Sequence, residues 1–151
     1  MIDKTQIVQI GILTHDLKKC TEYWAKFLGE PVPEFEELPP YEESRALYNG
    51  KPCHGKTIAS FFRLENVQIE LIQPIGDEPS YWKDCLDKNG EGFHHIAFAA
   101  KDMERTIEEL EAEGFGPLKQ FGYFPRGAYA YFDTQDSLQM IVELLERGRD
   151  S

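Results

Sequence analysis

The strongest constraint on this chain is that two of its stretches match at one fixed spacing. Residues 9–17, QIGILTHDL, lie over residues 95–103, HIAFAAKDM, at a single offset of 86. Ile10 falls on Ile96, Asp16 on Asp102 and Leu17 on Met103. The closing segments match as well: IELI (69–72) resembles VELL (142–145), which lays Glu70 over Glu143. A chain that repeats a strand–helix–strands order folds as two equivalent units around a shared pseudo-twofold axis.

Local patterns fill in each unit. Residues 6–13 read as a strand, with Asp16 placed to cap a helix bearing Leu17, Cys20, Trp24, Phe27 and Leu28 at helical spacing, and Gly29 to end it. The proline- and glutamate-rich stretch EPVPEFEELPPYEE then predicts extended or loop-like chain. TIASFFRLENVQIELIQP (57–74) reads as a hairpin turning at Glu65-Asn66, and residues 80–86 as a short helix. The second copy runs HHIAFAA as a strand and DMERTIEELEAEG as a helix. Strands near 118–121, 128–133 and 138–146 complete it. The expectation is an α+β chain of two tandem strand–helix–strands halves, about 5–75 and 92–146, in one domain spanning 1–151.

Side chains alternate faces along a strand. Val67, Ile69 and Leu71 therefore oppose Gln68, Glu70 and Ile72, and Met140, Val142 and Leu144 oppose Ile141, Glu143 and Leu145. His95 shares its face with Ala97 and Ala99, and Gln9 with Gly11 and Leu13. The pseudo-twofold then brings Gln9 and Glu70 to face His95 and Glu143 around a cavity kept open by small neighbours. One imidazole, two carboxylates and one amide oxygen suit a divalent metal, and two carboxylates balance its charge. A single glutamate in an apolar strand more often faces solvent; the matched foursome is what carries the metal reading. His94, on the other parity, is set aside as structural.

The chain carries 16 Lys and Arg against 27 Asp and Glu, a formal charge of -11. That balance argues against nucleic acid and anionic membrane as partners. Cys20, Cys53 and Cys85 form no CxxC pattern and read as free thiols of a reducing compartment. The N-terminal stretch shows no signal peptide or membrane span, and a cytoplasmic location is expected.

The stretches QIGILTHDL, VQIELIQP, GEGFHHIAFAAKDMERTIEELEAEGF and YFDTQDSLQMIVELLE resemble the vicinal oxygen chelate superfamily, which includes glyoxalases, bleomycin resistance proteins and extradiol dioxygenases. Methylmalonyl-CoA epimerase and glyoxalase I are the nearest patterns. The resemblance implies an α+β fold of two tandem βαβββ modules forming a cupped mixed sheet with helices on its outer face, around one divalent ion (Zn, Ni, Co or Mn), with Gln9, Glu70, His95 and Glu143 as ligands. It implies proton transfer next to a carbonyl by Glu70 and Glu143, as in an epimerase (isomerase) or a lyase. The substrate would be a CoA thioester or a glutathione adduct, and the assembly a homodimer. Gln at the first ligand position follows the glyoxalase pattern, whereas GEGFHHIAF and IELIQP read like the epimerases. Arg63 and Arg126 are substrate-binding candidates, with Arg45, Lys51 and Lys56 as further rim cations. The rival reading is a metal-free binding or resistance module, for which Tyr123, Phe124, Tyr129, Tyr131 and Phe132 would supply the aromatic lining. An iron-dependent dioxygenase fits less well, because Gln9 replaces one of its usual two histidines.

Overall fold

The computed structural model describes residues 1–150; Ser151, included in the one-domain reading, lies outside the described residues. The first part of the chain forms β1 (Ile2–Leu13), α1 (Leu17–Leu28), β2 (Glu36–Glu37), α2 (Tyr41–Ser44), β3 (Leu47–Tyr48), β4 (Lys51–Pro52), β5 (Lys56–Arg63), β6 (Gln68–Ile75) and α3 (Tyr81–Asn89). The second forms β7 (Gly92–Ala100), α4 (Met103–Ala112), β8 (Leu118–Phe124), β9 (Gly127–Thr134), α5 (Gln135–Leu138) and β10 (Met140–Arg147). The strands join in one curled mixed sheet, in the order β2-β5-β6-β1-β7-β10-β9-β8-β3-β4.

Read outward from its centre, this order is symmetric. β1 and β7 pair antiparallel, with Ile10 opposite Ile96, so equivalent residues of the two halves meet at the axis. β6 runs parallel to β1 with Gly11 opposite Glu70, and β10 runs parallel to β7 with Ala97 opposite Glu143. The register is thus the same in both halves. Each central strand also carries a bulge just before its matched polar residue. Ile7 faces Phe98 while Gln9 faces Ala97, leaving Val8 extra; His95 faces Gly11 while Phe93 faces Ile12, leaving His94 extra. A bulge breaks the two-residue alternation and re-aims the side chain it carries.

Outside the sheet, Leu17 and Ala25 of α1 pack on Phe62, Ile69 and Leu71. Met103 and Ile107 of α4 pack on Ala128, Ala130, Phe132 and Leu144. Leu17, Leu71, Met103 and Leu144 are fully buried, and each such side chain contributes about 1.5–3 kcal/mol through its removal from water. Asp16 caps α1 through Lys19 N–H and Gly29 closes it at φ 69°. Asp102, its match in the repeat, makes no cap and sits at φ 51°. The two helices share another device instead. Gln73 Oε1 accepts Leu17 N–H at 2.8 Å, and Glu146 Oε2 accepts Met103 N–H at 3.0 Å, from equivalent places on β6 and β10.

Helix α3 lies on the inner side. Ser80 caps it, and Tyr81, Trp82, Cys85 and Leu86 pack on Leu13, Ile72, Tyr131 and Ile141, plugging one end of the cup. The acidic segment expected to be loop-like contains short strands. β2 pairs with β5 at one edge of the sheet, and β3 pairs with β8 near the other. One stretch of chain therefore straps the two edges together across the mouth. The three cysteines are free thiols, and no helix among the described residues is long and apolar enough to cross a membrane.

Candidate metal centre

The two central strands and the two that flank them deliver the site. Gln9 comes from β1, Glu70 from β6, His95 from β7 and Glu143 from β10, all buried and all from one chain. His95 Nε2 is the focus: Gln9 Oε1 lies 2.8 Å away, Glu143 Oε2 2.7 Å and Glu70 Oε1 3.7 Å. Ligand atoms of Glu70, His95 and Glu143 all lie within 4.8 Å of one another. One imidazole N–H satisfies at most one of these three oxygens. Glu70 Oε1 and Glu143 Oε2 are in fact buried without a hydrogen-bond partner. Orphaned buried carboxylate oxygens converging on a ring nitrogen fit a cation, and the donor set, hard oxygens with one borderline nitrogen, suits a divalent ion.

The charges say the same. Burial pushes the Glu70 carboxyl well above its usual value, the Glu143 charge adds to that, and Arg147 partly offsets both. Burial raises Glu143 too, against pulls from Tyr131 and Arg147. Burial drives His95 down to about 3, so its ring stays neutral with a lone pair to offer.

The surrounding residues hold these donors in place. Gln9 Nε2 donates to Gln68 Oε1 at 2.8 Å, which turns the Gln9 amide so that its oxygen faces the cluster. Gln68 Oε1 also accepts from Arg147 Nη2 at 3.3 Å. Gly11 passes directly beneath His95, and a Cβ there would stand 2.0 Å from Cε1 of the ring. Opposite Glu143 on β9 stands Tyr131, whose hydroxyl accepts Trp82 Nε1–H at 3.0 Å. At the equivalent place opposite Glu70 stands Phe61.

The parity that set His94 on the face opposite His95 does not hold at the bulge. The bulge turns it onto the same side as its neighbour, where it is buried with Nδ1 2.9 Å from His95 Nδ1. Its ring packs on Tyr81 and Tyr131. A His95 tautomer with its proton on Nδ1 donates to His94 Nδ1 and leaves the Nε2 lone pair facing the three oxygens.

The cluster lies in a cavity of about 790 Å³. Of the cations expected at its rim, Arg63 lines it; Arg126 is the positive-φ turn residue between β8 and β9, and Arg45, Lys51 and Lys56 also lie outside the lining. Arg147 lines the cavity and was missed, since the predicted last strand stops one residue short of it. Of the five aromatics weighed, Phe124, Tyr129 and Tyr131 face the cavity. Tyr123 and Phe132 belong instead to the outer core beneath α4. The strap contributes Glu34, Glu36, Glu37 and Glu43 as an acidic wall.

Comparison with known proteins gives one family. The model of the Glyoxalase/Bleomycin resistance protein/Dioxygenase superfamily matches residues 8–132. An uncharacterized protein of Bacillus subtilis (strain 168), YqjC, is 33% identical over 93% of this chain and 91% of its own length. A mitochondrial methylmalonyl-CoA epimerase of Dictyostelium discoideum is 30% identical over 69% of this chain, and the match spans about half, 54%, of that enzyme. Among solved structures, a methylmalonyl-CoA epimerase in complex with methylmalonyl-CoA and NH4+ superposes with a TM-score of 0.61. It shares 21% identity over 95% of this chain and 94% of its own. That likeness is one of fold.

Proposed function

The chain belongs to the glyoxalase/bleomycin resistance protein/dioxygenase superfamily, and on that premise we propose that it is a divalent-metal-dependent isomerase or lyase that moves a proton on the carbon next to a carbonyl. The observation that carries this reading is the convergence of Gln9, Glu70 and Glu143 oxygens on His95 Nε2, with two carboxylate oxygens buried and unpartnered. Gln9, Glu70, His95 and Glu143 are the proposed ligands. A bound divalent ion would supply Lewis-acid polarisation of a substrate oxygen at neutral pH.

The remaining chemistry falls to the protein's own groups. Glu70 and Glu143 occupy equivalent positions of opposite halves, so a substrate seated between them presents one face to each. One carboxylate removes the proton and the other, in its acid form, returns one, to the opposite face in an epimerisation or to the adjacent carbon in a glyoxalase-type isomerisation. Both carboxylates are buried, so a proton passed between either of them and the substrate carbon is shielded from exchange with bulk water. The plug of α3 and the strap keep bulk water from the reacting carbon. The similarity to epimerases that act on methylmalonyl-CoA supports a CoA thioester as substrate, and Gln9 keeps a glutathione adduct in play. Four ligands from one chain make the site complete without a partner subunit, whatever the assembly.

The acidic wall and the aromatics Phe124 and Tyr129 favour a second reading, a metal-free module that sequesters a cationic aromatic compound. One experiment separates the two. Metal content is measured by mass spectrometry on protein purified without chelator or affinity tag, for the wild type and for Glu70→Gln/Glu143→Gln. About one divalent ion per chain, lost in the double variant, supports the enzyme and directs assays to acyl-CoA epimerisation and glutathione hemithioacetals. A wild type that stays empty after incubation with zinc, nickel, cobalt or manganese favours the sequestering module.

A further inference from the structure

The two glutamates are equivalent in the repeat and unequal in their surroundings. Glu143 Oε2 lies 2.7 Å from His95 Nε2, whereas Glu70 Oε1 stands off at 3.7 Å. The Glu143 side chain is 3% exposed and that of Glu70 10%. Directly opposite Glu143 on β9 is Tyr131, and directly opposite Glu70 on β5 is Phe61; both rings line the cavity. Residues so paired across antiparallel strands hold their Cβ atoms about 4.5–5.5 Å apart, close enough for the side chains to interact. One carboxylate therefore faces a hydroxyl, and the other a ring without a polar atom.

The direction of that hydroxyl is set from outside the repeat. An indole N–H can only donate. At 3.0 Å from Trp82 Nε1 the Tyr131 oxygen is therefore the acceptor, and its own proton is left to point elsewhere. Tyr131 is buried, and the acidic group across the ladder from it is Glu143. In keeping with this, a hydrogen bond from Tyr131 draws the Glu143 carboxyl down against its burial. No hydrogen bond acts likewise on Glu70, and the Arg147 charge that draws on it draws on Glu143 as well. Trp82 belongs to α3, the link between the halves. No helix follows β10 among the described residues, so the pseudo-twofold supplies Glu70 with no counterpart of Trp82. A ligating carboxylate with an oriented donor behind it is held in place, and one without is freer to swing.

We propose that the two halves divide the carboxylate work: Glu143, positioned by Tyr131 and through it by Trp82, is the fixed metal ligand, and Glu70 is the exchangeable one that yields its place to a substrate oxygen. This rests on the metal-dependent reading and adds to it a direction, since the group free to move comes from the β6 side of the cup. Tyr131 and Trp82 are positioning residues.

The test combines two measurements. Zinc affinity is read by competition with a chromophoric chelator for wild type, Glu70→Gln, Glu143→Gln, Tyr131→Phe and the two double variants of Tyr131→Phe with either glutamate change. Circular dichroism on the same samples reports folding. Glu143→Gln should weaken zinc at least about tenfold more than Glu70→Gln, and Tyr131→Phe should cost about 10- to 100-fold, the range for loss of a group that orients a ligand. The Tyr131→Phe effect should vanish in the Glu143→Gln background and persist in the Glu70→Gln background, as coupled and independent pairs do. If Tyr131→Phe does not fold, Trp82→Phe, which removes only the N–H and keeps an aromatic ring, takes its place in the same cycle with a smaller loss expected. The second measurement is the visible spectrum of cobalt-loaded protein with acetohydroxamate, a chelator that binds through two oxygens. The wild-type complex should give the spectrum of the Glu70→Ala complex, because the hydroxamate displaces Glu70. Equal zinc losses from the two glutamate variants, a Tyr131 effect coupled to Glu70, or a wild-type hydroxamate spectrum unlike that of Glu70→Ala overturns the division while leaving the metal centre standing. A wild type that takes up neither zinc nor cobalt removes the metal-dependent reading and the division with it.

Discussion

At the scale of single residues, the site depends on two positions that hold no metal-ligating atom of their own in this arrangement. Gly11 is required because the His95 ring lies where its Cβ would be, 2.0 Å from Cε1. Gly11→Ala must therefore push the imidazole off the three oxygens that surround it. The expected result is a folded protein whose metal content falls close to that of His95→Ala, by mass spectrometry, with circular dichroism unchanged; full metal retention would show that the ring sits elsewhere in solution. His94 is the second position. Losing the partner that orients a ligating histidine typically costs 10- to 100-fold in metal affinity. His94→Ala should fall in that range in a competition titration with a chromophoric chelator, whereas His95→Ala should abolish tight binding. Gln9, Glu70, His95 and Glu143 were legible in the sequence because repeat and parity select the same residues independently. His94 was not, since alternation assumes an unbroken ladder and the extra residue at a bulge is invisible without its partner strand. Arg147 was missed for a plainer reason: charged residues after an apolar run read as the strand's end, and this one is still paired, opposite Gly127.

At the scale of elements, the two halves keep their equivalence wherever strands meet strands and lose it in what connects them. β1, β6, β5 correspond to β7, β10, β9 in order and register, and hydrophobic alternation with the matched glutamates was enough to foresee this. The first half's answer to β8 is the two-residue β2, after which the chain departs across the mouth to β3 and β4. Composition could not reveal that, because proline and glutamate describe chain that avoids regular pairing, while two-residue strands need only a neighbouring edge to add to. The strap's design has a measurable consequence. Short strands at both ends and a four-residue helix between them leave few backbone hydrogen bonds to break, so this segment opens at less cost than the sheet. A glutamate-specific protease should cut first within residues 34–43, which offer Glu34, Glu36, Glu37, Glu42 and Glu43. A ligand seated in the cup should slow that cleavage severalfold, read by mass spectrometry of the fragments. First cleavage at Glu65 or in α4 would show that the strap is no weaker than the rest.

At the scale of the whole molecule, the cost of the site is spread through folding stability, and pH should expose it. In chelated protein Glu143 holds its proton up to about 8, against a usual 4.5, and Glu70 is likewise raised. A raised carboxyl favours the folded state where the native chain keeps a proton that the unfolded chain has lost. That contribution is full below 4.5 and disappears as pH climbs through 8. His95, lowered to about 3 from 6.5, acts in the opposite sense, and His94 is lowered too. Their contribution is present above 6.5 and lost as pH falls from there toward 3, because the unfolded chain takes up protons the folded chain refuses. Between 4.5 and 6.5 the two pairs oppose one another, so the chelated protein should be most stable in that window and melt several degrees lower at pH 8. A bound divalent ion reverses the upper limb. It pairs the ionised carboxylates and takes the imidazole lone pair, adding stability that grows with free metal over its dissociation constant and is lost to proton competition on acidification. Thermal melts of chelated and zinc-loaded protein from pH 4 to 9 should therefore cross, with the zinc-loaded form ahead by its widest margin near pH 8. Glu70→Gln/Glu143→Gln, which has no carboxylate to ionise there, should lose both the alkaline decline and the response to zinc. Parallel curves for the two wild-type forms would mean that these four side chains do not bind the ion as a unit.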